Sequence, residues 1–259
     1  MIQRAMLALA LVACASPAAA QTAQTSGSPQ IDYLTRFGYY VSMEHLVSEE
    51  QRFVWDANWG AELDIVDYGL GRFMFVANYQ TILGSEFRAF DPTQGNYILE
   101  GSLSARARAV ELSAVFHHVS RHLSDRFKRF PVDWNMMGGR VHAKTTRGRA
   151  EIQGRADLRA VILHSFVDYR WEMDSDVNAR VRILPRVAAV AAGGLHVIGV
   201  DGTRNRGTQY GFRAEGGVAL EGRAVDAALF LAVERRIDPY QLEFSTATWL
   251  TAGFRISSR

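Results

Sequence analysis

Hydrophobic and polar positions alternate with a period of two residues along most of this chain. Between Arg52 and Ile65, apolar side chains occupy the odd positions, and three carboxylates occupy even ones. Successive side chains of a strand point to opposite faces, so this pattern predicts a strand with one apolar and one charged face. A slip of one residue would carry the carboxylates to the apolar face, which fixes the register. The alternation recurs in residues 36–44, 73–79, 96–107, 151–162, 177–183, 212–221, 225–234 and 250–256.

The composition of the two faces separates a membrane barrel from a soluble β-sandwich, which also alternates. The polar faces carry Arg, Asp and Glu in nearly every segment, as a wet or ion-paired lumen requires. The apolar faces mix small residues with aromatic ones, as lipid-facing strands do. We therefore predict an all-β protein that folds as an antiparallel transmembrane β-barrel. Aromatic residues predicted near the membrane interfaces are Trp55, Trp59, Tyr79, Tyr97, Tyr169, Trp171 and Trp249.

The spacing of turns predicts about 12 strands, with 10 to 14 possible. Short turns fall near 67–71, 106–108, 146–148 and 221–223, and longer connections at 83–94, 121–135, 200–208 and 236–241. Outer-membrane barrels have short periplasmic turns and longer outer loops, which places the longer connections outside. The count of 12 treats Glu151–Met173 as one bulged strand that changes phase near Ile162–Leu163. The final segment resembles the C-terminal strand of outer-membrane barrels, although Ser257, Ser258 and Arg259 follow its last apolar residue.

The N-terminal residues predict export. A basic start, an apolar stretch and a small-residue site at Ala18–Ala20 make 1–20 a signal peptide, with cleavage between Ala20 and Gln21. The alternative is a lipoprotein signal ending at Cys14. Residues 21–35 are predicted as a short disordered lead, and 36–259 as one barrel. This organisation predicts a bacterial outer-membrane protein whose partners are membrane lipids, lipopolysaccharide and the barrel-assembly machinery.

Composition excludes several other classes. The net charge of +2 indicates no nucleic-acid surface, and cleavage after Ala20 would remove the single cysteine. The chain has no phosphate-binding glycine loop, no His-Glu-x-x-His and no Cys-x-x-Cys. We therefore expect no cofactor and no metal.

The chemistry-bearing residues cluster between His117 and Asp125. His118, Ser120 and His122 share the face that continues from Phe116, which is predicted to meet lipid. Polar groups on a lipid face need a reason. A serine hydroxyl becomes a nucleophile when a histidine takes its proton and an acid orients that histidine. Ser120 is the candidate nucleophile, His118 or His122 the base, and Asp125 the orienting group.

This segment resembles the His-x-Ser patch of outer-membrane lipid A deacylases and phospholipases. It is still more similar to an uncharacterised family of outer-membrane barrels with a His-x-Ser-Ser-His-x-Gly-Asp stretch. His118, Ser120, His122 and Asp125 match that stretch, whereas Arg121 and Ser124 depart from it. The resemblance implies an outer-membrane barrel and leaves the activity open.

Three alternatives to the hydrolase remain. The histidines could anchor a loop, or His117, His118 and His122 could hold a metal ion at the surface. The barrel could also be a pore or a structural protein without chemistry, and this unassigned outer-membrane role is the leading prediction. The basic residues of the following loop are candidates for contact with lipopolysaccharide phosphates: Arg121, Arg126, Lys128 and Arg129.

Overall fold

The computed structural model describes residues 31–124, 126–128 and 130–258. The predicted signal peptide, its cleavage site at Ala20 and Gln21, and Cys14 lie outside these residues. Strand β1 begins at Asp32, so residues 32–35 belong to the first strand and not to the predicted lead. The twelve strands are β1 Asp32–Leu46, β2 Trp55–Asp67, β3 Arg72–Gly84, β4 Asp91–Ala107, β5 Val110–His122, β6 Val132–Arg147, β7 Ala150–Ser165, β8 Tyr169–Leu184, β9 Val187–Val200, β10 Gln209–Glu221, β11 Val225–Ile237 and β12 Thr246–Ser258.

The strands form one closed antiparallel barrel. Each strand pairs with its neighbours in sequence, and β1 pairs with β12 with Met43 opposite Phe254. Closure removes the free sheet edge, so the strand backbones hydrogen-bond within the protein, as a hydrocarbon environment demands. The predicted antiparallel barrel of 12 strands is confirmed. The described residues contain no helix that is long and apolar enough to span a membrane.

One detail of the predicted strand count is wrong. Glu151–Met173 is not a single strand, because β7 ends at Ser165 and β8 begins at Tyr169. The phase change has a local cause in the pairing of β7 with β6. Leu163 lies opposite Asn135 and Val161 opposite Met136, so Ile162 is the extra residue of a bulge. Ile162 and Leu163 are consequently both exposed on the outer wall.

The two ends of the barrel differ in the length of their connections. The end at which β1 begins and β12 ends has short turns at 68–71, 108–109, 148–149, 185–186 and 222–224. The other end has loops at 47–54, 85–90, 123–131, 201–208 and 238–245, with a short connection at 166–168. Short turns face the periplasm in outer-membrane barrels. We call the end with the longer loops the outer end.

The outer wall is apolar and the inner wall is charged, as the alternation predicts. Leu229 and Leu231 are 70% and 62% exposed on the outside, while Asp56 and Asp157 are buried inside. A row of aromatic rings crosses the outer wall from β2 to β4. The ring centroids of Trp59 and Tyr79 are 5.9 Å apart, and those of Tyr79 and Tyr97 are 4.7 Å apart. Two aromatic residues predicted at the interface, Tyr169 and Trp249, instead point inward and are buried.

The lumen is crossed by networks of paired charges. Arg140 donates two hydrogen bonds to Glu100, at 2.6 and 2.8 Å, and one to Asp157 at 2.7 Å. Arg213 pairs with Glu44 and Glu215 at 3.0 Å, joining β10 to β1. Buried charges are tolerated when they are paired and hydrogen-bonded, so these networks can cross the middle of the barrel at tolerable cost.

Apolar side chains fill the lumen at the outer end. Trp134 and Tyr169 meet edge to face there, with ring centroids 5.2 Å apart. Arg206 extends from loop 201–208 and donates hydrogen bonds to Asp168 at 2.8 Å and to Asp238 at 2.8 Å. Burial lowers the pKa of Arg206, but hydrogen bonds to the two carboxylates outweigh this and raise it above its usual value. We call this group the outer plug: Val119, Val132, Trp134, Val167, Asp168, Tyr169, Ile198, Arg206, Ile237 and Asp238.

We expect no steady ionic current from the purified protein in a planar bilayer. The outer plug packs the outer end of the lumen, and paired charges cross the lumen behind it, so we expect the barrel to be closed to ions. Single-channel recording, with a porin reconstituted in parallel as the positive control, measures this. A stable, ohmic open level from the folded protein would contradict the closed lumen.

Arg206→Ala should destabilise the barrel by roughly 3–5 kcal/mol, because it leaves the carboxylates of Asp168 and Asp238 buried without their cation. The free energy of unfolding can be followed by urea titration in lipid vesicles with tryptophan fluorescence. Arg204→Ala is the matched control, since Arg204 is exposed and lies against the ring of Phe244. Equal losses in the two variants would refute a special role for the buried ion pairs.

Candidate active site

Three polar side chains interrupt the apolar outer wall at the outer end of β5. His118 and Ser120 are half-buried and His122 is exposed, while Val119 between them points inward and is buried. The structure thus places all three on the shared outer face that their spacing predicts. Asp125, the predicted orienting residue, lies outside the described residues.

Ser120 and His122 are in direct contact. Ser120 Oγ lies 2.9 Å from His122 Nε2, within hydrogen-bond distance. The backbone spacing of residues two apart on a strand is about 6–7 Å, so the side chains bridge it by leaning together. The ring of Tyr97, opposite Ser120 on β4, meets the His122 ring edge to face with centroids 5.3 Å apart. Tyr97 therefore limits where the His122 ring can turn.

His118 contacts a residue on the neighbouring strand that the sequence pattern does not single out. Asn135 lies opposite His118 on β6, and its Oδ1 is 2.9 Å from His118 Nδ1. An amide oxygen only accepts hydrogen bonds, so this contact places the proton of neutral His118 on Nδ1 and leaves Nε2 as the base. Asn135 therefore does for His118 what Asp125 was predicted to do for the site.

The neighbouring histidine, His117, belongs to the lumen. Its Nδ1 lies 2.9 Å from Glu100 Oε2, on the opposite wall face from His118. One metal ion held jointly by His117, His118 and His122 is therefore ruled out, and this alternative is wrong. Another carboxylate–histidine group lies in the lumen, where ligand atoms of Glu172, Asp174 and His196 fall within 4.8 Å of one another. The guanidinium of Arg159 already pairs with Asp174 in that group and would repel a cation.

The basic residues that follow the site donate hydrogen bonds to other groups of the protein. Arg121 donates a hydrogen bond to the carbonyl of Asp238 at 2.7 Å, and its guanidinium lies over the ring of Trp134. Its charge therefore lies against the outer plug. Arg126 donates to Asp91 at 2.9 Å and to the carbonyl of Pro92 at 2.8 Å.

Lys128 Nζ donates to the carbonyl of Arg121, and burial lowers the pKa of this amine. Arg129 lies outside the described residues. Contact of this loop with lipopolysaccharide stays a prediction, for which Arg121 is the least suited because its charge is turned inward.

Apolar side chains surround the three polar groups on the outer wall. Leu99 lies opposite His118 on β4, and Phe116 lies opposite Met137 on β6. Leu99 and Phe116 are each 43% exposed and Met137 is 55% exposed, as expected of side chains that meet lipid tails. A lipid carbonyl at the level of Ser120 would therefore have its acyl chain against an apolar surface.

Comparison with known proteins identifies the fold. No protein-family model matches the chain, and no curated protein matches it in sequence. Among solved structures, it is similar to the outer-membrane phospholipase A of Escherichia coli, with a TM-score of 0.54 and 10% identity over 88% of this chain and 98% of that one. It is likewise similar to the calcium-bound dimer of the Salmonella typhi outer-membrane phospholipase, with a TM-score of 0.54 and 12% identity over 88% of this chain and 91% of that one.

A third similar structure is LpxR from Salmonella typhimurium, with a TM-score of 0.49 and 10% identity over 85% of this chain and 99% of that one. The two phospholipase structures, each with a TM-score of 0.54, show that this chain has the fold of bacterial outer-membrane β-barrels. At these identities the likeness extends to the architecture alone.

Proposed function

We propose that this protein is a lipid hydrolase of the outer membrane that cleaves acyl esters at its outer wall, with Ser120 as nucleophile. The observation that carries the proposal is the hydrogen bond between Ser120 Oγ and His122 Nε2 on a surface that otherwise meets lipid. The His118–Asn135 pair beside it supplies a second, oriented histidine. A serine, a histidine and a group that fixes the histidine tautomer are the parts of a serine hydrolase.

His118 is the proposed general base. Its Nδ1 proton is held by Asn135, so Nε2 is unprotonated and faces away from that contact. An orienting partner of this kind matters greatly for rate, because the wrong tautomer cannot accept the serine proton. His122 holds the Ser120 hydroxyl in the resting arrangement and has no hydrogen-bonding partner for Nδ1 among the described residues. His118, Ser120 and His122 follow one another on the same face of β5, so Ser120 is flanked by both histidines.

The reaction follows from these roles. Ser120 Oγ attacks the ester carbonyl as its proton passes to His118 Nε2, and the carbonyl becomes a tetrahedral oxyanion. The oxyanion collapses, the ester C–O bond breaks, and His118 returns the proton to the leaving alcohol. Water then attacks the acyl-serine with the same histidine as base, releasing a fatty acid and restoring Ser120.

The position of the site suits an ester in the outer leaflet. Phe116, Met137 and Leu99 offer an apolar surface toward the middle of the membrane. The aromatic row ending at Tyr97 lies at the level where polar and apolar regions of a membrane meet. The fold shared with outer-membrane phospholipase A shows that such a barrel is compatible with lipid hydrolysis in another protein. The acyl esters available there are those of phospholipids and of lipid A.

Ser120→Ala should abolish ester cleavage, lowering the rate at least about 10³-fold because no other group replaces the nucleophile. Phospholipid and lipid A vesicles are incubated with the purified protein, and released acyl chains are measured by mass spectrometry, which also identifies the substrate. Ser113→Ala is the matched control, since Ser113 lies on the same strand and faces the lumen. Absence of acyl release from both lipids by the wild-type protein would sink the proposal.

The two histidines should differ in their contribution. We expect His118→Ala to lose about as much activity as Ser120→Ala, and His122→Ala to lose on the order of tenfold. Asn135→Ala should lower kcat on the order of 10²-fold, with recovery in Asn135→Asp because a carboxylate also accepts a hydrogen bond from Nδ1–H. Steady-state kinetics with a dispersed ester substrate measures these effects. If His122→Ala is inactive while His118→Ala retains activity, the assignment of the base is reversed and our version is wrong.

A further inference from the structure

Five arginines occupy the short turns at the end of the barrel opposite the candidate site. Arg108 lies between β4 and β5, Arg147 and Arg149 flank the turn between β6 and β7, Arg186 lies between β8 and β9, and Arg223 lies between β10 and β11. All five are exposed. We call them the arginine ring.

None of the five side chains makes an ion pair or a hydrogen bond with the described residues. The carboxylates nearest in sequence already have other partners. Glu111 pairs with Arg72 at 2.8 Å, Glu151 with Lys144 at 2.9 Å, and Glu221 with Arg182 at 2.8 Å. The ring is therefore a set of cations for which the described residues supply no counter-charge.

Several arginines in the loops at the outer end are paired. Arg52 pairs with Glu243 at 2.7 Å, Arg126 with Asp91 at 2.9 Å, and Arg206 with Asp238 at 2.8 Å. Arg170, Arg204 and Arg235 are exposed at the outer end without a carboxylate partner among the described residues, so the ring differs in gathering five such cations on the turns of one end.

The ring lies close to the edge of the lipid-facing wall. Leu112, Ile152, Leu184 and Leu220 project outward within four residues of a ring arginine and are 51%, 46%, 60% and 58% exposed. Lipid headgroups lie immediately beyond the apolar band of a barrel, so the guanidinium groups have phosphate oxygens within reach. Guanidinium binds phosphate through paired N–H donors and is more weakly hydrated than an ammonium group.

The distribution of the cations favours lipid over a protein partner. The ring arginines lie on four separate turns that alternate around the barrel, so they face different directions. A protein docking on one side would contact a fraction of them, whereas the lipid headgroups surround the barrel on every side.

We propose that the arginine ring binds the phosphates of anionic phospholipids in the periplasmic leaflet, and that these lipids form a selected annulus at this end. The site is separate from Ser120 and does not rest on the proposed hydrolase activity. In this arrangement, lipid phosphates pair with the ring arginines, which have no partner among the described residues.

Native mass spectrometry of the delipidated, folded protein tests this, with phosphatidylglycerol and phosphatidylcholine as probes. We expect the wild-type protein to retain phosphatidylglycerol in preference to phosphatidylcholine, and less so at high salt. Changing all five arginines to Gln should reduce that preference at least about tenfold, since each basic residue near an anionic surface contributes measurably. Heat-modifiable mobility on gels confirms that each variant is folded.

Matched pairs keep the result specific. Arg147→Gln with Arg149→Gln should lower the preference, whereas Arg170→Gln with Arg235→Gln, both exposed at the outer end, should leave it unchanged. Equal loss in the two pairs would overturn the assignment to the ring. An unchanged preference in the five-fold variant would overturn it too, as would displacement of the lipid by inorganic phosphate at equal concentration.

Discussion

Closure of the sheet is the constraint on which this structure depends. A strand in lipid leaves its backbone groups unpaired unless another strand takes them, and the pairing of β1 with β12 completes the ring. Closure also divides every strand into an outward and an inward series of side chains. Charges go to the lumen, where Glu100, Arg140 and Asp157 satisfy one another, and apolar side chains go to lipid. Any polar group on the outer wall then departs from the rule and calls for an explanation.

The adjacent residues His117 and His118 show how strongly this division acts. They are consecutive residues of β5, yet His117 contacts Glu100 in the lumen and His118 contacts Asn135 on the outer wall. The same residue type thus serves a charge network in one case and a candidate catalytic group in the other. The number of histidines in the segment does not separate these two environments. The period of two does, because it places His117 on the lumen face and His118 on the lipid face.

Sequence alone was sufficient for features that follow from this period. The barrel and the common face of His118, Ser120 and His122 derive from alternation, which is local, and the count of about 12 strands derives from the spacing of turns. Asn135 could not be found in this way, because its contact with His118 depends on the register of the β5–β6 hairpin across an irregular loop. Knowing that Phe116 pairs with Met137 would have identified Asn135 as the residue opposite His118. Tyr169 and Trp249 were misjudged for a related reason, since residue type suggested the membrane surface while their phase turned them inward.

A filled lumen also bears on where chemistry can occur. Trp134 and Tyr169 pack together at the outer end of the lumen, which favours a closed barrel over a path for solutes. A substrate that is itself a membrane lipid needs no such path, because lateral diffusion brings its ester to the outer wall. Water for the second half of an ester hydrolysis is available at the rim, where His122 is exposed. A site at the upper edge of the wall therefore combines access to acyl chains from one side with access to water from the other, which a position deeper in the hydrocarbon region lacks.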